Sequence, residues 1–289
     1  MWAVLALGAA TLTSFNPILY KRMLRDTDAI VVVWGVTLLA LPLLGFLNII
    51  LASSIPTLNW LFLLGVLGSA GLNAIAHLAS TRALQLEDVS LVTPLLVFSP
   101  VFTLLISAIF LGEIPSTRGL LGVMMILIGA YWLTRQSGAN WLTPFKSLTL
   151  KPGIALVLLA GLLWAVTPLF EKMAIQNTAP ESPRFAAFVI TALLTAILTP
   201  AVVRRGRPAM TQLVGHRREL LLAALIAGTA PVLGYTALSL GLVGYVTTLF
   251  KLSTLMTVLW GSLFLNEKEL VQRLPASLVM VLGAVLIAI

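Results

Sequence analysis

The sequence predicts an all-α integral membrane protein with ten transmembrane helices in two inverted five-helix repeats. Three observations carry this expectation. Of 289 residues, 59% are hydrophobic and 10% are charged, whereas a soluble domain carries about 25% charged residues. Apolar runs of the length a bilayer demands, about 20 residues each, fill almost the whole chain. Residues 237–287 also repeat residues 83–133 without a gap. Ala83-Leu84 meets Ala237-Leu238, and Ser99 meets Ser253. Phe110-Leu111-Gly112-Glu113 meets Phe264-Leu265-Asn266-Glu267, and Gly129 meets Gly283. A match of this length at one offset marks an internal duplication.

The spans are expected at 2–20, 29–51, 59–82, 89–111, 117–134, 153–171, 184–203, 219–240, 243–265 and 271–289. The longest hydrophilic stretch, 135–152, joins the fifth to the sixth. The expected organisation is a first repeat over 1–140, a connection over 141–152 and a second repeat over 153–289. The leading helices of the halves correspond too. Asn16-Pro17 aligns with Thr167-Pro168, Tyr20 with Glu171, and Lys21 with Lys172. An odd number of helices per half requires the halves to lie upside down relative to each other. Such repeats typify secondary transporters, which hold substrate near the midplane between the halves.

Composition removes several function classes. The chain has no cysteine, so disulfides and thiolate metal sites are excluded. Two histidines and no HExxH pattern argue against a metal enzyme. No cofactor is expected. The net charge of +8 lies in short loops between apolar runs, which bears on membrane topology and not on nucleic acid. Residues 2–20 have no charged segment before them and no evident small-residue cleavage site, so they read as a spanning helix and not a signal peptide.

Of the 18 basic residues, Lys251 sits inside a span. Arg118, Lys172 and Arg184 fall on the side that carries both termini, and the other fourteen fall on the opposite side. Short loops rich in Lys and Arg stay cytoplasmic, so the charge count places both termini outside.

The run Ala83-Leu84, Ser99-Pro100-Val101-Phe102, Leu111-Gly112-Glu113, Gly122 and Gly129 resembles the EamA family of the drug/metabolite transporter superfamily. The second copy, with Leu265-Asn266-Glu267, Ala276 and Gly283, is a looser match: Asn266 replaces the usual Gly and Thr254 the usual Pro. Trp164 followed by Lys172 also suits the first helix of such a repeat. The resemblance implies ten helices in two inverted repeats around a cavity lined by helices one, three, four, six, eight and nine. It implies transport of small metabolites without ATP hydrolysis. It also implies cytoplasmic termini, the reverse of the charge count.

Lys251 is the sharpest functional signal. It lies about nine residues, or ~13 Å, into the ninth span. A charge at such depth costs roughly 2.5–3.5 kcal/mol on insertion scales, and it usually faces a cavity or a partner. Thr247, Thr248 and Thr254 share its face at helical spacing. Lys251 is therefore a candidate anion-binding or coupling residue. The alternative is a lysine that snorkels or pairs with a carboxylate such as Glu171.

Asn73 and His77 share one face of the third span. They are candidates for hydrogen bonding to substrate, or for proton relay; a packed histidine is the plainer reading. The first and sixth spans carry matching stripes, Thr13, Asn16, Pro17 and Tyr20 against Trp164, Thr167, Pro168 and Glu171. Each proline removes a backbone donor and can kink its helix, giving either a moving gate or a static bend. Pro94 and Pro100 extend the theme to the fourth span. Tyr235, near Pro231 and Gly234, could face the cavity or anchor at the lipid interface.

Glu113 and Glu267 end helices before turns and read as structural. Gly65, Gly68 and Gly71 form a small-residue seam, with Gly119–Gly122 and Gly241–Gly244 alike.

The expected function is a secondary transporter of the inner membrane. It exports a small anionic or amino-acid-like metabolite by alternating access, with a proton as candidate coupling ion. Its site residues are Lys251, His77, Asn73, Asn16, Trp164, Thr167, Tyr235 and Thr247, its surroundings are membrane lipid, and no nucleic-acid partner is expected. An organic-cation exporter is the runner-up, weakened because no carboxylate is placed mid-helix. A lipid-modifying membrane enzyme is less favoured, because no clustered His/Asp or Ser-His-Asp arrangement is present.

Overall fold

The computed structural model describes residues 1–51, 55–86, 99–134, 152–253, 255–257, 260 and 270–288. These residues are almost entirely helical. Helix α1 covers Trp2–Thr13, α2 Asn16–Met23, α3 Ala29–Leu51, α4 Trp60–Leu86, α5 Ser99–Leu111 and α6 Thr117–Thr134. Beyond the connection come α7 Pro152–Gln176, α8 Pro183–Gly215, α9 Arg217–Leu240, α10 Val243–Phe250 and α11 Leu270–Ala288. Among the described residues, six helical stretches are long and apolar enough to cross a membrane. Three shorter apolar helices cover Ser99–Leu111, Thr117–Trp132 and Pro275–Ala288. Large side chains such as Val4, Ile49, Ile109 and Phe110 lie exposed on the outer surface. Exposed large apolar side chains on several helices suit a lipid surround.

Most expected boundaries agree within a few residues, and three differ for identifiable reasons. The first span is interrupted at Ser14–Phe15. Pro17 has no N–H to give the Thr13 carbonyl. The Phe15 N–H bonds three residues back, to Leu12 O at 3.4 Å. The Ser14 carbonyl accepts the Thr257 hydroxyl at 2.7 Å, and the Ser14 hydroxyl accepts the Trp260 Nε1–H at 2.8 Å. The break is thus stitched by side chains from the ninth span.

The expected loop after residue 203 is instead helix. The helix α8 continues to Gly215, bent at Gly206, whose φ of 69° only glycine adopts without strain. The ninth span is not one even helix either, because α10 closes at Lys251. Positions 89–98 of the fourth span, with Pro94, lie outside the described residues. So do Thr254 and Glu267.

Small residues set the packing. The helix α4 lies along α7, and a Cβ on Gly65 would fall 2.8 Å from the Ala174 backbone nitrogen. Gly68 is likewise closed by the Phe170 ring, but Gly71 meets nothing and is not part of the seam. The helices α6 and α11 cross antiparallel. A Cβ on Gly122 would lie 2.6 Å from the Gly283 carbonyl oxygen, and one on Gly129 would lie 2.8 Å from that of Ala276. In the duplicated sequence Gly122 corresponds to Ala276 and Gly129 to Gly283, so the contact is reciprocal. The helices α3 and α8, second in their halves, also pair with each other.

Two short strands, β1 (Thr57–Leu58) and β2 (Thr178–Ala179), pair antiparallel. They tie the α3–α4 loop to the α7–α8 loop. Asn59 donates to Asn177 Oδ1 at 2.7 Å beside them.

Candidate functional site

A cavity of 520 Å³ lies between the helices of the two halves. All eight candidate residues border it: Asn16, Asn73, His77, Trp164, Thr167, Tyr235, Thr247 and Lys251. The repeated stripes meet there. Thr13, Asn16 and Tyr20 come from α1 and α2, and Trp164, Thr167, Pro168 and Glu171 come from α7. The α7 helix runs unbroken through Pro168. Pro168 has no N–H to give the Trp164 carbonyl, and both residues border the cavity.

The walls divide by chemistry. His77 meets Trp164 edge to face, with ring centroids 5.5 Å apart. Thr167 and Thr247 turn their hydroxyls back to the carbonyls of Leu163 and Val243, at 2.8 and 2.9 Å. Asn16 Oδ1 is buried without a hydrogen-bond partner among the described residues. Ser69 donates to Glu171 Oε1 at 3.4 Å, and Asn73 donates to Ser69 Oγ at 3.4 Å. Tyr235 and Glu171 border the same cavity, so Tyr235 is a cavity residue and not an anchor at a lipid interface.

Lys251 closes α10, and its N–H bonds the Thr248 carbonyl three residues back at 3.0 Å. Of the expected threonine stripe, Thr247 lines the cavity, but Thr248 is fully buried and bonds Gly244 O.

Glu171 weakens the case against a cationic substrate, which rests on the lack of a mid-helix carboxylate. Glu171 lies five residues before the end of α7, yet its side chain borders the cavity.

A second group of charges closes the end that carries both termini. Lys172 Nζ lies 2.5 Å from Glu113 Oε1 and donates to Gly241 O at 2.8 Å. Glu113 Oε2 accepts the Val243 N–H, at the start of α10, at 2.7 Å. The Tyr245 hydroxyl accepts the Ser116 N–H at 2.8 Å. Glu113 is thus structural, as its helix-end position suggests. Its partner Lys172 is 59 residues away in the chain, and the pair forms only when the two halves pack. A separate 620 Å³ cavity beside this pair is bordered by Arg118, Lys172 and Tyr245; it holds none of the eight candidates.

At the opposite end Arg205 pairs with Asp28 at 2.9 Å, and His216 Nε2 lies 2.7 Å from Asp26 Oδ1. The His216 hydrogen bond holds the Asp26 carboxyl below its ordinary range.

The model of the EamA-like transporter family matches residues 1–135 and 151–289. The chain belongs to the EamA-like transporter family. The two matched blocks are the two halves that enclose the cavity, and they make the protein a drug/metabolite transporter by family. No curated protein matches the chain. A solved crystal structure is similar over 100% of this chain and 98% of its own, with a TM-score of 0.78 and 14% identity. At that identity the likeness concerns fold alone.

Proposed function

We propose that this EamA-like protein is a secondary transporter that carries a small metabolite with an anionic group across the inner membrane by alternating access. The carrying observation is that Lys251 and the seven other candidate residues border one cavity between the halves. A charge kept at this depth has a use when it faces such a cavity. Lys251 holds the anionic group, Asn16, Asn73 and His77 orient the molecule, and Trp164 and Tyr235 form its wall.

The reciprocal crossing of α6 and α11 supports two inverted repeats of five helices, divided at 141–152. The pairing of α4 with α7 also has a counterpart in that of α9 with α1, since the third helix of each half packs on the first of the other. Two halves that pack by the same contacts can rock about a fixed site. Export is the direction and a proton the coupling ion in this reading.

A second reading, an organic-cation exporter, gains from Glu171 in the cavity wall. Lys251 opposes it by repelling a simple cation.

Transport of radiolabelled metabolites into proteoliposomes tests the proposal. The wild type accumulates an anionic or amino-acid-like compound, and Lys251→Met inserts normally but loses at least nine-tenths of that uptake. Undiminished uptake by Lys251→Met would remove the lysine from the site.

A further inference from the structure

The two halves are fastened to each other at corresponding places by different chemistry. Asn59 immediately precedes α4, the third helix of the first half, and His216 immediately precedes α9, the third helix of the second. Each reaches across to a residue just beyond the first helix of the other half. Asn59 donates to Asn177 Oδ1 at 2.7 Å, and His216 Nε2 lies 2.7 Å from Asp26 Oδ1. At the offset that aligns the first helices, Asp26 and Asn177 hold the same place. The duplicated chain thus makes one bond twice, at opposite ends of the bundle. Near the termini it joins two amides, and at the arginine-rich end it joins an imidazole to a carboxylate.

The neighbouring contacts differ in the same way. Beside the amide pair, the strands β1 and β2 set Thr57 against Ala179 and Leu58 against Thr178, and none of these carries a charge. Beside the imidazole, Arg205 pairs with Asp28 at 2.9 Å and Arg22 lies 3.7 Å from Glu219. All three ion pairs join the end of α2 and the α2–α3 corner to the α8–α9 segment. The other charged groups around His216 are Arg25 at the corner, Arg204 on α8, and Arg217 and Arg218 on α9. The helix α3 brings none. Arginines stay charged at every working pH, and carboxylates are ionised near neutrality. Histidine is the side chain whose charge changes between about pH 5 and 8.

We infer that His216 and Asp26 form a proton-operated latch between the halves at the arginine-rich end, while the amide pair and the strand clip hold the other end at any pH. With His216 protonated both partners are ionic, and such a hydrogen bond is roughly twice as strong as a neutral one. The bond holds the Asp26 carboxyl below its ordinary range. The carboxylate side is therefore lost only as pH falls through that lowered value, in strong acid. The imidazole side is lost in the other direction. The latch is shut in the acidic part of the histidine range and loosens as pH rises through it. The two side chains are 23% and 61% exposed, and ion pairs so open to water contribute little to stability. The latch can thus open without unfolding the corner. The inference concerns how the halves are joined and holds whatever the cavity carries.

The chain has no cysteine, so nitroxide labels can be attached at introduced ones. Arg25→Cys with Gln212→Cys spans the latch from exposed positions outside its ion pairs, and Ile55→Cys with Glu181→Cys spans the strand clip. Label-to-label distances are measured by pulsed electron spin resonance on the full chain in lipid nanodiscs at about pH 5 and pH 8, the limits of the histidine range. At the acid limit the latch labels show a short distance. At the alkaline limit a longer distance gains several-fold in population, and the clip labels do not change. His216→Asn with Asp26→Asn copies the amide pair of the other end and removes the response. His216→Gln alone does the same, and replaces the double variant if that one does not elute as a monodisperse species.

Latch distances that are identical at the two limits overturn the inference, as does a response that persists in the amide variant. An equal response from the clip labels also overturns it, because the titrating group then lies elsewhere. No substrate is present in these measurements, so the latch and the reading of Lys251 can each fail alone.

Discussion

Gly122 and Gly283 meet backbone to backbone where α6 crosses α11. A Cβ on Gly122 would lie 2.6 Å from the Gly283 carbonyl oxygen, and one on Gly283 would lie 2.7 Å from that of Gly122. Backbone cannot swing aside as a side chain can, so the crossing has no room for a methyl group. Gly122→Val is expected to part the helices and cost about 1–3 kcal/mol, the range for overpacking. Gly71 is the internal control. Nothing lies within 4 Å of a Cβ there, so Gly71→Ala should leave stability unchanged or raise it by about 0.5–1 kcal/mol. Size-exclusion profiles after heating give both values. Equal melting of Gly122→Val and wild type would show that the crossing relaxes freely.

The Glu113–Lys172 pair is expected to be structural. Its side chains are 9% and 10% exposed, and each charge makes a further bond, to the Val243 N–H or the Gly241 carbonyl. Removing one partner of a buried pair strands the other charge and costs about 3–5 kcal/mol. Lys172→Met should therefore melt well below wild type. Glu113→Gln with Lys172→Met should recover part of the loss, because no charge is left unpaired. A double variant that melts lower than Lys172→Met alone would contradict this account.

These two cases show what a sequence makes legible. The seam at Gly119–Gly122 could be read as a packing surface, but that Gly122 closes on Gly283 of α11 could not. The cavity wall could be read as well, because asparagine, histidine, lysine and proline are conspicuous among apolar neighbours. Glu171 was visible as one member of a stripe, but its position near the end of the span hid the fact that its side chain reaches the cavity. The partner of Lys172 could not be read at all, since the two residues are brought together only by packing of the halves. The Gly206 bend and the β1–β2 clip escaped for a related reason. A lone glycine between arginines and a two-residue strand leave no periodic signal.

Pro17 and Pro168 hold corresponding places in the two halves. The chain is interrupted just before Pro17, and α7 passes Pro168 without a break. If both prolines allow bending as the cavity changes sides, Pro17→Ala and Pro168→Ala should fold normally and lose transport several-fold. Alanine restores the missing N–H and stiffens the helix. Initial rates in proteoliposomes, normalised to reconstituted protein, decide the matter. Wild-type rates in both variants would make the prolines static packing features.

Orientation is the last expectation, and here two arguments point in opposite directions. The resemblance to EamA proteins implies cytoplasmic termini. The charges of this chain imply the reverse, with fourteen basic residues on the side opposite the termini and three on theirs. The folded chain sharpens the contrast. Of the three on the termini side, Lys172 is buried in its pair with Glu113 and offers little to the membrane surface. On the other side Arg22, Arg204, Arg205, Arg217 and Arg218 are exposed and can meet anionic headgroups. Each basic residue near such a surface contributes about 1 kcal/mol, so the bias favours cytoplasmic placement of the arginine-rich end. A fluorescent protein that matures only in the cytoplasm should therefore stay dark when fused after Ile289. Inserted between Gly215 and Arg217, it should shine. A bright C-terminal fusion with a dark insertion would show that something other than the arginines sets the topology.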